Sequence, residues 1–233
     1  MQLAKTFAGN STVAGFDLDN EPTQASPITW GDGGPTDIHK MFTDVGNAIQ
    51  AVDPGALIIG EGPQNYNTTF SGNNTAPEGD LTQAAVNPVS LNVANKMMYS
   101  VHEYPNEISA IPNDTGASAI QRMNNAWGYL VTQNIAPVWI GEMGSNMTSS
   151  DSQAWAQTLV DYMNGKDAAQ GGPAFTGKQQ GIGGSWWNIG WEGGAPGTGA
   201  GGGVPDGNQD AWGIGNYRPL QQAVTDQMLF KPS

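Results

Sequence analysis

The chain has 233 residues, 38% of them hydrophobic, which is enough to bury one sizeable core, and no charge block or low-complexity tail marks a disordered segment. Its 21 acidic against 8 basic residues give a net charge of −13 spread along the chain, a field that repels phosphate backbones and anionic membranes, so neither nucleic acid nor a membrane is expected as a partner. Zero cysteines exclude disulfides, thiolate metal sites and a cysteine nucleophile.

Taken in chain order, Val13 to Asn20 reads as a strand. Ile38 to Val52 reads as a helix, with Ile38, Met41, Phe42, Val45, Ile49 and Val52 at three- and four-residue spacing and Pro54-Gly55 as its stop. Leu57 to Gly60 is a second strand. A polar loop then runs to about Pro88, a length that points to binding or mobility. Lys96 to Val101 is a third strand ending in His102-Glu103-Tyr104, and a helix from about Ala117 to Gln133 leads into a fourth strand, Pro137 to Gly141. A helix over Ser152 to Asn164 precedes the fifth strand, Gly183 to Asn188, and a short helix is expected near Leu220 to Leu229. Strands alternating with helices imply parallel βαβ units with strands buried on both faces, so the expected class is α/β, in a single domain spanning 1–233.

Three of these strands finish in polar or acidic residues: Asn20-Glu21-Pro22, His102-Glu103-Tyr104, and Glu142 after Trp139-Ile140-Gly141. In a parallel α/β barrel the C-terminal strand ends share one rim, so Glu21 and Glu142 could serve one cleft. Cleaving a glycosidic bond needs a proton donor for the leaving oxygen and either a nucleophile or an activated water on the opposite face; a carboxyl pair about 5 Å apart supplies the double-displacement version.

Four segments carry a more specific signal. Phe16-Asp17-Leu18-Asp19-Asn20-Glu21-Pro22, Tyr99-Ser100-Val101-His102-Glu103-Tyr104, Asn134 to Glu142 and Ser185-Trp186-Trp187-Asn188 resemble, in order, strands four, six, seven and eight of glycoside hydrolase family 5, most closely its bacterial secreted endo-β-1,4-glucanases. The resemblance runs from about Val13 to Trp212. It implies a partial (β/α)8 TIM barrel of about five β/α units with the first three strands absent. It further implies a retaining hydrolase of β-1,4-linked glucan, a cellulase-like catalytic-domain fragment working without a cofactor or metal. Glu21 would be the general acid/base and Glu142 the nucleophile; Asn20 would bond the sugar 2-hydroxyl, Tyr104 would orient Glu142, and His102 would touch the sugar and the acid/base. Trp187 would be the aromatic platform under the sugar, with Trp186 as fallback because strand parity turns only one of the two inward. The family's Arg on strand two and His on strand three have no counterpart here; Arg122 and Arg218 lie elsewhere.

Trp30, Trp191 and Trp212 fall in predicted loops where they could stack on neighbouring sugars, whereas Trp127, Trp139 and Trp155 read as core and His39 as an ordinary helix residue. The glycine run Gly197 to Gly202 matches a dinucleotide fingerprint formally but follows no strand, and the Asp206, Asn208, Asp210 triplet lacks the Gly and Glu of a calcium loop. Low charge density, with 33 Gly and 8 Trp, suits an extracellular sugar-handling protein, and Met1 to Asn10 carries no leader pattern. An open sheet would leave strand edges exposed, so self-association through those edges is expected. Besides hydrolysis of a β-glucan polysaccharide or oligosaccharide, two readings stay open: a catalytically deficient carbohydrate-binding fragment, and a fragment active only after oligomeric completion of the barrel.

Overall fold

A computed structural model describes residues 1–23, 27–64, 79–111, 113–145, 149–176 and 181–187. Trp191, Trp212, the 197–202 glycine run, the 206–210 triplet and the expected helix at 220–229 lie outside the described residues, as does most of the loop after the second strand.

Five strands are described: β1 (Gly15–Asp17), β2 (Leu57–Glu61), β3 (Met97–Glu103), β4 (Val138–Met143) and β5 (Gly183–Trp186). They follow one another in the sheet in chain order, and β1 with β2 and β2 with β3 pair in parallel, Phe16 opposite Ile58 and Gly60 opposite Tyr99. Helices α1 (Gln2–Phe7), α2 (Ile38–Gln50), α3 (Asn106–Ser109), α4 (Gly116–Met123), α5 (Tyr129–Thr132) and α6 (Ser150–Met163) accompany them, none of those described falling between β2 and β3. Strands in sequence order with helical crossovers are the repeating pattern of a (β/α)8 barrel, and five strands of that pattern are present among the described residues.

The chain divides into two compact units, Met1–Val101 with Asn125–Trp139, and His102–Asn124 with Ile140–Ser233. In the first, α2 starts because the Asp37 side chain caps it, accepting the Lys40 N–H at 3.1 Å. Its inward stripe is Ile38, Phe42, Gly46 and Ile49, so the expected apolar face is shifted: Val45 is 38% exposed, and Gly46 takes the place against the sheet. A Cβ at Gly46 would stand 2.8 Å from Leu91 Cδ2 and 3.0 Å from Ile58 Cγ2, so glycine lets α2 lie directly on β2. Ala4 of α1, Ile49, Ala56 and Ile58 form a buried cluster with Phe16, Leu18, Leu91 and Met97 packed around it.

In the second unit α4 packs on α6, α4 burying Ala119, Ile120 and Met123, and α6 burying residues that include Trp155, Leu159 and Val160. α6 begins at Ser150, two residues before its expected start, because Ser149 and Ser152 form a reciprocal cap. The single helix expected over Ala117 to Gln133 is instead α4, a wide π-type turn over Asn124–Gly128, and α5. The wide turn buries Ala126, Trp127 and Gly128 in succession, which a regular amphipathic helix exposes at least in part. Trp127 and Trp155 are buried at 1% and 2% exposure, as read from the sequence.

Candidate active site

The first unit carries Asn20 and Glu21 in the segment that follows β1. Asn20 is exposed and Glu21 half-buried. This segment is tied at three levels to β2 and the residues after it: Leu18 N–H donates to Ile59 O at 3.1 Å, Glu21 N–H to Glu61 Oε2 at 2.8 Å, and Gln64 N–H to Pro22 O at 3.1 Å. Glu21 has φ +47, in the left-handed region that a residue with a Cβ rarely adopts. Such a conformation costs about 1–3 kcal/mol, and a hydrogen bond returns about 0.5–1.5 kcal/mol to a neutral acceptor and about 1.5–3 kcal/mol to a charged one. The Glu61 carboxylate is therefore of the right strength to hold Glu21 in this conformation.

Glu61 is the residue sequence reasoning passed over. It ends β2 in Leu57-Ile58-Ile59-Gly60-Glu61, the same pattern of an apolar strand closing on an acid that singled out Glu21 and Glu142. It is fully buried, and strand parity puts it on the face shared by Leu57 and Ile59, opposite the face where Gly60 meets Phe42 of α2.

The second unit carries His102, Tyr104 and Glu142. Tyr104 Oη donates to Glu142 Oε2 at 2.5 Å, and His102 Nδ1 lies 3.6 Å from the same oxygen. Both rings are buried and cross edge to face, with centroids 6.4 Å apart, while the Glu142 side chain keeps 15% exposure at the end of β4. The arrangement turns one carboxylate oxygen toward Tyr104 and His102 and leaves the carboxylate accessible.

Between His102 and Tyr104, Glu103 points to the other face of β3, as strand alternation requires. Arg122 of α4 grips it bidentately, with Nη1 to Oε1 at 3.1 Å and Nη2 to Oε2 at 2.5 Å. Arg122 also holds Asp114, with Nε to Oδ1 at 2.8 Å and Nη2 to Oδ2 at 2.8 Å. Burial alone would favour a neutral guanidinium, but Glu103 and then Asp114 outweigh it and hold Arg122 firmly protonated. This network pins the end of β3 to α4, in the same three-residue stretch that presents His102 and Tyr104. Farther along, Glu107 of α3 accepts Ser145 Oγ at 2.9 Å and Ser149 Oγ at 3.3 Å, fastening the segment after β4.

The aromatic residues divide. Trp187, just after β5, is 38% exposed, and its main-chain N–H donates to Met143 O at 2.8 Å; Trp186 is half-buried within β5. Trp30, expected beside a sugar, packs its indole against His39, Phe42 and Tyr99 at centroid distances of 5.8, 6.3 and 6.4 Å, and its Nε1 donates to Asn87 O at 2.8 Å.

Comparison with known proteins places this geometry in a family. The cellulase domain, glycosyl hydrolase family 5, matches residues 1–193. An endoglucanase of Paenibacillus polymyxa is 39% identical over 171 residues, covering 69% of this chain and 42% of that protein. Endoglucanase G of Acetivibrio thermocellus is 27% identical, covering 69% of this chain and 34% of its own length. The chain thus spans less than half the length of these relatives. Among solved structures, a cellotetraose complex of an endocellulase from Pyrococcus horikoshii is similar at TM-score 0.71 and 25% identity, over 97% of this chain and 60% of that one. The catalytic domain of the major endoglucanase of Xanthomonas campestris pv. campestris shares the fold at TM-score 0.71 and 22% identity. With the family match covering most of its length, this chain belongs to glycosyl hydrolase family 5.

Proposed function

We propose that the chain acts on β-1,4-linked glucan as a retaining endoglucanase-type hydrolase, with Glu21 as general acid/base and Glu142 as nucleophile. The observation that carries this reading is the hold on Glu142: a buried phenol donates to one oxygen of a carboxylate that is itself accessible, which orients a nucleophile without covering it. Family membership and the cellotetraose complex of the Pyrococcus horikoshii relative support the substrate class.

In the proposed reaction an oxygen of Glu142 bonds to the anomeric carbon as the bond to the leaving oxygen breaks and Glu21 gives that oxygen its proton. A water then loses a proton to Glu21 and attacks the same carbon, and the bond to Glu142 breaks, restoring both carboxyl groups. Asn20 bonds the sugar 2-hydroxyl, His102 lies along the sugar, and Trp187 is the stacking platform, with Trp191 and Trp212 as further sugar contacts. An insoluble or polymeric glucan also fits an extracellular place of action.

Release of reducing ends from carboxymethylcellulose tests the reading, together with the anomeric configuration of the first product by NMR. Glu21→Gln and Glu142→Gln are each expected to reduce turnover by at least about 100-fold. Formate should restore turnover to a Glu142→Gly variant. Binding of cello-oligosaccharides by a chain that gives no turnover would reject the hydrolase and leave the carbohydrate-binding reading. We propose in addition that the chain self-associates, because β1 and β5 stand at the two ends of the strand order. A stable monomer by light scattering at micromolar concentration would reject this.

A further inference from the structure

We infer that Glu61 is a positioning residue for the acid/base: by accepting the Glu21 main-chain N–H it fixes the left-handed backbone from which the Glu21 carboxyl is presented. The inference rests on the assignment of Glu21 as acid/base in the proposed function. Three observations carry it. The Glu61 carboxyl is fully buried, which is costly for an acid and requires compensating partners. Its Oε2 meets Glu21 N at 2.8 Å, although 40 residues separate the two. Glu21 is one of five residues with a side chain at positive φ among the described residues, and the only Glu of that set. The other four are three Asn and one Ala, and Asn is a residue that tolerates this region more readily.

The neighbouring bonds explain why one acceptor matters. Leu18 N–H to Ile59 O fixes the segment before Glu21, and Gln64 N–H to Pro22 O fixes the residue after it. Pro22 has no N–H, so the Glu21 amide is the last main-chain donor at this turn, and Glu61 receives it. Without that acceptor the two flanking bonds still hold the segment, but Glu21 is free to relax toward negative φ. Its Cα–Cβ bond then turns away, and the carboxyl moves with it. Misplacing a general acid by about 1 Å is enough to lose on the order of 100-fold in rate.

Because Glu61 acts through Glu21, its loss should mimic loss of acid/base catalysis. In Glu61→Leu, turnover of cello-oligosaccharides is expected to fall by about 100-fold. Formation of the glycosyl-enzyme from a 2,4-dinitrophenyl cellobioside, whose leaving group departs without protonation, should change less than about 5-fold. Azide should accelerate breakdown of that intermediate, bonding to the anomeric carbon while the Glu142 carboxylate departs and giving a β-glycosyl azide. In Glu61→Gln a carbonyl oxygen still accepts the bond, so most of the turnover should return. In a Glu21→Ala background Glu61→Leu should add no further loss, whereas additive losses would overturn the inference. An equal loss on both substrate classes in Glu61→Leu would also overturn it.

A second readout needs no activity. Hydrogen exchange at the Glu21 amide should quicken by at least about 10-fold in Glu61→Leu and stay slow in Glu61→Gln, while the Leu18 amide keeps its protection. Unchanged exchange at Glu21 would overturn the positioning role whatever the enzyme does. Wild-type protein without turnover, but with this exchange pattern, would instead reject the hydrolase reading and keep the Glu61 contact.

Discussion

The two units handle their buried and half-buried acids differently. In the unit containing Met1–Val101 the acids accept chiefly main-chain N–H groups: Glu61 from Glu21, Asp37 from Gly31, Gly33 and Lys40, and Asp80 from Thr82, whose hydroxyl donates to the same oxygen. In the unit that begins at His102 they accept side chains: Glu103 and Asp114 from Arg122, Glu142 from Tyr104, Glu107 from Ser145 and Ser149. A grip on the main chain fixes where a residue stands whatever proton its side chain carries, which suits a group that must gain and lose one. A grip on the carboxylate fixes one oxygen and suits a group that attacks as an anion. Glu21 and Glu142 each sit in the unit whose chemistry matches the role proposed for them.

The contrast can be broken most forcefully at Arg122. Arg122→Met leaves Glu103 and Asp114 buried without their cation, and a loss of about 3–5 kcal/mol in urea unfolding is expected. Amides of α4 and α6 should lose hydrogen-exchange protection before those of α2. Loss of α2 protection in step would show that the difference between the units does not extend to their stability.

A smaller effect is expected from Tyr104→Phe, which keeps the ring and removes only the O–H on Glu142. A hydrogen bond to a charged group is worth about 1.5–3 kcal/mol, or roughly 10- to 100-fold in kcat/KM, with the unfolding midpoint nearly unmoved. An unchanged kcat/KM on cellotetraose would remove the reason for treating the side-chain grip as functional.

The smallest is Asp37→Asn at the α2 cap. Burial raises the Asp37 pKa, but the amides of Gly31, Gly33 and Lys40 and the nearby His39 outweigh it, so the net shift is downward. A folded-state pKa below the unfolded value stabilises the fold above the unfolded pKa, and that stability is lost as pH falls through the folded value. Asp37→Asn should therefore lower stability at neutral pH, by less than the cost of losing a whole cap, about 0.5–2 kcal/mol, because Asn still caps the helix. The gap from wild type should narrow toward pH 3, measured as urea midpoints across that range. A gap independent of pH would mean that the charge contributes nothing to the main-chain grip.

Much of this was legible in the sequence because it depends on local period. α2 follows from its three- and four-residue spacing, and the strands from short apolar runs ending in polar residues. Val45 was misplaced because periodicity gives a stripe but does not say where along it the sheet comes closest; Gly46 does, and its lack of a side chain hides it from an apolar count. The π-type turn was missed because the apolar pattern through Asn124–Gly128 continues without a break. Glu61 was visible as an acid ending a strand, but nothing local tells such an acid apart from a solvated one.

The sequence by itself determined the order of the strands and helices, the strand ends where acids gather, and the likeness to family 5, since each is written in residue type and spacing. Only the tertiary structure decided what each acid binds. Glu61 and Glu21 stand 40 residues apart, and Glu103 and Arg122 19. Whether such pairs meet depends on strand register and on how helices seat against strands, and a one-residue change in register would turn each side chain to the other face.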